Sequence, residues 1–162
     1  MVRKTGILAG VLALLIAFIS KIPIYPPIDL EINFMMMVKS NTEYYIWGYV
    51  VNEIISSSTI NLQFPENIIG IFLWSMVIFI GISSIMASIK KAKFKNSLTL
   101  YNLNVLFCIL IITIYSIIIL TITWNAIIEF FYTAALGYYL FIIILILNII
   151  ALRFLKKSNL ES

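Results

Sequence analysis

The chain has 162 residues, of which 62% are apolar or aromatic and 11% charged, with a mean hydropathy of +1.07. A soluble domain carries about 25% charged residues, and a globule of this length cannot hide so much apolar surface, so the composition points to lipid as the solvent and to a single domain. The net charge is +4, but the basic residues flank apolar runs instead of clustering on one soluble face, which argues against nucleic acid as a partner.

Cys108 is the only cysteine and there is no histidine. An intrachain disulfide and histidine-ligated haem, copper or zinc are therefore excluded within this chain.

Arg3 and Lys4 precede an apolar run at 6–22, whose 17 residues reach ~25 Å as a helix, the lower limit for a crossing. It reads as an uncleaved helix, because cleavage after Ser20 or Ala17 puts Phe18 or Leu15 where a small residue is required. Gly6, Gly10, Ala13 and Ala17 share one face and include a GxxxG spacing. Small residues let helix backbones approach closely in lipid, so this face serves packing within a bundle or, alternatively, dimerisation.

Pro23, Pro26 and Pro27 end that helix. Residues 28–34 (IDLEINF) then alternate, with Ile28, Leu30, Ile32 and Phe34 on one side and Asp29, Glu31 and Asn33 on the other. Residues 59–64 (TINLQF) alternate likewise, and 44–51 (YYIWGYVV) are rich in aromatic and β-branched residues. These runs predict an antiparallel sheet of at least three strands, with turns at 39–42 and 56–58. Its two edges leave backbone donors and acceptors unpaired; the apolar segment 127–132 is expected to cover one, and the other to remain available for a partner.

Residues 68–89 form an uncharged run of 22 residues, ~33 Å as a helix. Lys90, Lys91, Lys93 and Lys95 follow in a loop at 90–99. From 98 to 152 the only charge is Glu129, a length that predicts two further crossings, at 100–122 and 133–154. Trp124, Tyr132, Tyr138 and Tyr139 mark the turn between them. The expected fold is a mainly α, multi-pass membrane protein: a four-transmembrane-helix bundle with an extracytoplasmic antiparallel β-sheet from the first outer loop, 23–67. Lysines and arginines gather on one side of that topology and six of the seven acids on the other. The positive-inside rule then puts both termini in the cytoplasm and the strands outside the cell membrane.

Asp29 and Glu31 point to one side of a strand. Calcium takes six to eight oxygens, and only the scattered Asn33, Glu43 and Glu53 are at hand, so Asp29, Glu31 and Asn33, with Trp47, read instead as an exposed interaction face. Glu129, an ionisable group in an apolar half, is a functional candidate by default, and with Asn148 could line a path. Its place in a turn favours the interface. Cys108 has no histidine to activate it, and Met35, Met36 and Met37 lack further soft ligands, so a sheet edge or lipid contact is expected there. The four loop lysines suit anionic headgroups as well as topogenesis. No motif for phosphate binding, zinc or a catalytic triad is present, and no cofactor is called for.

The layout is a short helix, a long strand segment, then three helices with a basic inner loop. It is similar to the claudin and peripheral-myelin-protein group of small tetraspan proteins, whose first outer loop carries a Trp-then-Gly-Leu-Trp signature and two cysteines. Trp47 and Gly48 lie in the corresponding region, while both cysteines are missing. The resemblance implies cell-surface contact, barrier or accessory-subunit roles. Two function classes follow. One is a non-enzymatic membrane protein whose sheet binds neighbouring copies or a larger membrane complex. The other is a small transporter, channel or transport subunit using Glu129 and the helix asparagines.

Overall fold

The computed structural model describes residues 4–24, 30–89, 93–124 and 127–160. Arg3, Pro26, Pro27, Ile28, Asp29, Lys90 and Lys91 lie outside the described residues, as does the side chain of Leu30. The elements in order are helix α1 (Lys4–Phe18), strands β1 (Lys21–Ile24), β2 (Leu30–Asn33), β3 (Met37–Lys39), β4 (Thr42–Tyr45), β5 (Gly48–Val51) and β6 (Ile55–Ser58), a 3₁₀ turn (Thr59–Asn61), and helices α2 (Glu66–Ser88), α3 (Phe94–Ile122), α4 (Ile127–Thr133) and α5 (Leu136–Leu160).

Five helices are described, and three of them, α2, α3 and α5, are long and apolar enough to cross a membrane. The expected bundle of four transmembrane helices is therefore corrected to three candidate spans. α1 has 15 residues, about 22 Å of helix against a hydrocarbon layer of about 30 Å. Its early end has a local cause. A helix continued through Pro23 would drive the proline ring into the carbonyl of Ile19 and lose a hydrogen bond, and Ile22 is pushed toward extended backbone. The chain leaves the helix at Phe18, and Lys21–Ile24 becomes β1, paired antiparallel with β2. Trp74 of α2 donates its Nε1 proton to the Ala17 carbonyl at 2.8 Å, satisfying one of the carbonyls that a helix end leaves free.

The strands form two sheets between α1 and α2, a two-stranded β1-β2 and a four-stranded β3-β4-β5-β6, all antiparallel. Their division differs from the alternation pattern. The run at 44–51 is a hairpin, turning at Ile46 and Trp47 between the paired Tyr45 and Gly48. The serines read as a turn are strand β6, and the segment read as a third strand opens with the 3₁₀ turn. The reason is local: Asn52 and Glu53 adopt φ of 51° and 60°. That left-handed pair reverses the chain before the serines, which then pair with Tyr49 and Val50.

The strand region caps one end of the helices and shares their core. Ala13, Ile16 and Ala17 of α1, Val77 and Ile80 of α2, Ile111 of α3 and Phe141 and Ile144 of α5 are buried in one cluster with Phe34, Met36, Met37 and Ile46. Ile32 packs against it, half-buried. Met36 and Met37 are thus core residues, Met35 is half-buried, and β3 is also an edge strand. Irregular backbone buried at such depth must find partners. It does so here: Met36 N donates to Tyr44 O at 2.7 Å, Ala135 N to Met36 O at 3.2 Å and Gly137 N to Met35 O at 2.8 Å.

Candidate interaction surface and buried polar cluster

The two edges of the four-stranded sheet are treated differently. At β3, Met37 forms an antiparallel bridge with Ala134, in the link between α4 and α5. This link fits because Gly137 has no side chain: a Cβ there would lie 2.6 Å from Phe34 O and 2.7 Å from Met35 O. At β6 no such cover exists among the described residues. Thr59 N donates to Trp47 O at 2.8 Å, and hydrogen-bonded pairs alternate along an antiparallel ladder. In the register Tyr49↔Ser57 and Val51↔Ile55, Ser57 and Ile55 therefore bond inward, and the backbone groups of Ser56 and Ser58 point outward. β6 carries neither lysine nor proline, two of the devices that blunt an edge. Ile54, beside it, is 85% exposed.

Beneath the sheet a charge cluster links the two hairpins. Lys21 Nζ lies 3.7 Å from Glu31 and 3.8 Å from Glu43. Tyr45 donates to Glu43 at 2.7 Å, and burial, then the bond to the Glu43 carboxylate, pushes its phenol well above the ordinary value of 10. Trp47 stacks on Tyr45 with ring centroids 5.1 Å apart.

The residues expected to form an interaction face are not alike. Glu31 is exposed on β2. Asn33 is half-buried, and its Oδ1 has no partner among the described residues. Trp47 is also half-buried, with Nε1 buried and unpartnered among the described residues, so it belongs to the inner side of the cap. Glu129 is exposed on α4 and Asn148 is buried in α5, and no hydrogen bond joins them. Gly6, Gly10, Ala13 and Ala17 are all buried. A Cβ on Gly10 would meet the Gly81 backbone oxygen at 2.6 Å, and one on Gly6 would meet Tyr101 and Ser88 side chains. This face packs inside the molecule, against α2, with the Tyr101 side chain of α3 reaching it at Gly6. Lys93 and Lys95 are exposed at the start of α3.

Asn148 is part of a buried polar cluster joining α2, α3 and α5. Asn104 lies 2.6 Å from Ser83 Oγ and 2.8 Å from Ser84 Oγ. Its amide satisfies both when Nδ2 donates to Ser83 and Oδ1 accepts from Ser84, since Ser83 gives its own proton to Phe79 O at 2.6 Å. Ser84 Oγ also lies 2.9 Å from Asn148 Oδ1, so its one proton is shared between the two amide oxygens, and Asn148 Nδ2 donates to Ile144 O at 3.0 Å. Ser88 donates to Ser84 O at 2.6 Å and contacts the Tyr101 hydroxyl at 2.7 Å. Ser97 donates to Ala87 O at 3.0 Å. The helix asparagines, Asn148 among them, are legible in the sequence as polar groups; the part played by Ser83, Ser84, Ser88, Ser97 and Tyr101, and the identity of the open edge as β6, are not. The spacing of Tyr101 and Asn104, three apart on one helix face, was the available signal. Among the described residues no group of acids, histidines and cysteines assembles a metal site. No protein-family model, no curated protein and no solved structure matches the chain.

Proposed function

We propose that the chain is a non-enzymatic integral membrane protein whose strand cap docks another protein, a neighbouring copy or a subunit of a larger membrane complex, by adding a strand at β6. Three apolar helices of spanning length make it compatible with a membrane protein. The observation that carries the docking role is the asymmetry of the sheet: one edge bridged by Ala134 and the other open at Ser56 and Ser58. Strand addition uses such an edge through main-chain hydrogen bonds.

The orientation rests on charge. Gly6 abuts Ser88 and Tyr101, and Leu155 clusters with Tyr101. Lys4, Lys93, Lys95, Arg153, Lys156 and Lys157 therefore share one pole, and the strands occupy the other. The positive-inside rule supports a cytoplasmic basic pole, and its lysines suit anionic headgroups.

The transport reading lacks a comparable observation. Asn104 and Asn148 use their amides on Ser83, Ser84 and Ile144 O, and Glu129 sits apart on α4.

Proline substitution tests the edge. Ser56→Pro removes an outward donor and should abolish association, read as complex size in mild detergent, while leaving the fold intact. Ser57→Pro removes an inward bond to Tyr49 and should destabilise the cap itself. If the Ser56→Pro protein associates as the unaltered chain does, or if the unaltered chain has no partner, this reading fails.

A further inference from the structure

We infer that α4 is a membrane-surface anchor whose outer face of Ile127, Ile128, Phe131 and Tyr132 is seated in bilayer lipid, and that it ties the closed edge of the sheet to the membrane. The inference rests on the membrane reading of α2, α3 and α5 and not on the identity of the sheet's partner.

The helix has seven residues, none of them buried. The four large apolar residues of the outer face are between 62% and 79% exposed. At about 100° per residue they fall within an arc of about 140°. Glu129 and Phe130 lie about 60° beyond opposite ends of that arc; Glu129 is exposed, and Phe130 meets Tyr138 edge-on at 5.9 Å. The side turned from the protein is thus continuous apolar surface. In water that surface would stay unburied, which the hydrophobic effect disfavours in proportion to its area.

Depth and continuity select lipid as the occupant. A hydrocarbon layer of ~30 Å takes about 20 residues of helix. Counted from Leu98, just beyond the last lysine of α3, that length ends near Ile117. Counted back from Leu152, just before Arg153, α5 supplies 17 residues to its start at Leu136, about 25 Å, and α4 precedes that start directly. Both counts bring α4 to the outer boundary of the hydrocarbon. Ile117 and Leu120 on α3 and Leu136 on α5 are likewise exposed apolar residues, and α4 packs directly on α3. Trp124, 83% exposed, and Tyr132 are the side chains that favour this boundary, and Glu129 can reach headgroup water from the flank. Ala134 follows α4 directly and bridges Met37, so the seat of α4 in lipid fixes the β3 edge relative to the bilayer.

Spin labels report the seat. Ile128→Cys, Phe131→Cys and Glu129→Cys are made singly in a Cys108→Ala background, labelled with a nitroxide and reconstituted in phosphatidylcholine vesicles. Should that background fail to fold, the buried Cys108 is retained. Labels at 128 and 131 are expected to collide several-fold more with oxygen than with a water-soluble nickel chelate, and the label at 129 to favour the chelate. A Leu110→Cys label on the exposed face of α3 serves as the lipid reference. Labels at 128 and 131 that favour the chelate place α4 in water, and labels shielded from both reagents place it against protein. Either result overturns the anchor. If Leu110 also favours the chelate, the membrane reading falls with it; if Leu110 favours oxygen, the anchor alone is lost.

Discussion

Tyr45 combines three interactions in one side chain: burial in the cap, stacking on Trp47 and a hydrogen bond to Glu43. The first and third act on its acidity in the same direction. Burial disfavours the phenolate, and the Glu43 carboxylate holds the proton in place, so the folded-state pKa is raised above the ordinary 10. The sign of the linkage follows. The unfolded chain releases this proton first as pH rises, so the stabilisation is fully present below about pH 10 and is lost progressively above it. The thermal midpoint is therefore expected to fall steeply on the alkaline side, and Tyr45→Phe should flatten that limb. At neutral pH the same substitution removes a hydrogen bond to a charged group, a loss of about 1.5–3 kcal/mol, while Lys21 remains near Glu43. Equal alkaline slopes in the two proteins would show that Tyr45 ionises no later in the folded state than in the unfolded chain.

Among the elements, α2, α3 and α5 lock together through hydroxyls and amides where their apolar faces give no register of their own. A slip along the axis would strand Asn104 and Asn148 in an apolar layer, which is costly in lipid. Interhelical hydrogen bonds of this kind are worth about 0.6 kcal/mol each, at most about 1.7. Asn104→Ala and Asn148→Ala should each destabilise by roughly 1–2 kcal/mol, and because both amides share Ser84 the double variant should cost less than the sum. Unfolding in mixed detergent micelles measures this. Costs that add within about 0.3 kcal/mol would mean that the cluster is not one unit. Asn102, exposed on α3, should tolerate alanine within about 0.5 kcal/mol.

Long uncharged runs made α2, α3 and α5 legible in the sequence, because lipid demands length and apolarity from every spanning helix. α1 was misread because apolar content was extended past Ser20, while Pro23 acts on the four residues before it. The strand region was legible as strands but not in its pairing. Two left-handed residues, Asn52 and Glu53, set where the chain reverses, and neither is glycine. The cover of the β3 edge depends on a close approach at Gly137 that no periodicity reveals. Ser56 and Ser58 read as a turn by composition, so which edge stays open shows only in the register.

At the scale of the whole molecule the chain is polar in both senses. The end built from the starts of α1 and α3 and the ends of α2 and α5 exposes Lys4, Lys93, Lys95, Arg153, Lys156 and Lys157. The capped end carries Glu31, Glu43, Glu53, Glu66 and Glu129, with Lys21 and Lys39 as its cations. Such segregation contributes little to folding, since the two groups are separated by far more than a Debye length of ~8 Å. Its effect is on insertion, where lysine and arginine near the ends of the spans set which side stays in the cytoplasm. Single cysteines in a Cys108→Ala background test the outcome. Asn52→Cys, on the exposed β5–β6 turn, should react with an impermeant thiol reagent on intact cells. Asn96→Cys, exposed beside Lys95 in the first turn of α3, should react only after lysis. Ser97, one residue on, is fully buried, and a cysteine there should stay unreactive in both conditions, which separates shielding by the protein from shielding by the membrane. Reaction of the Asn96 site alone on intact cells would invert the topology and turn the open β6 edge toward the cytoplasm.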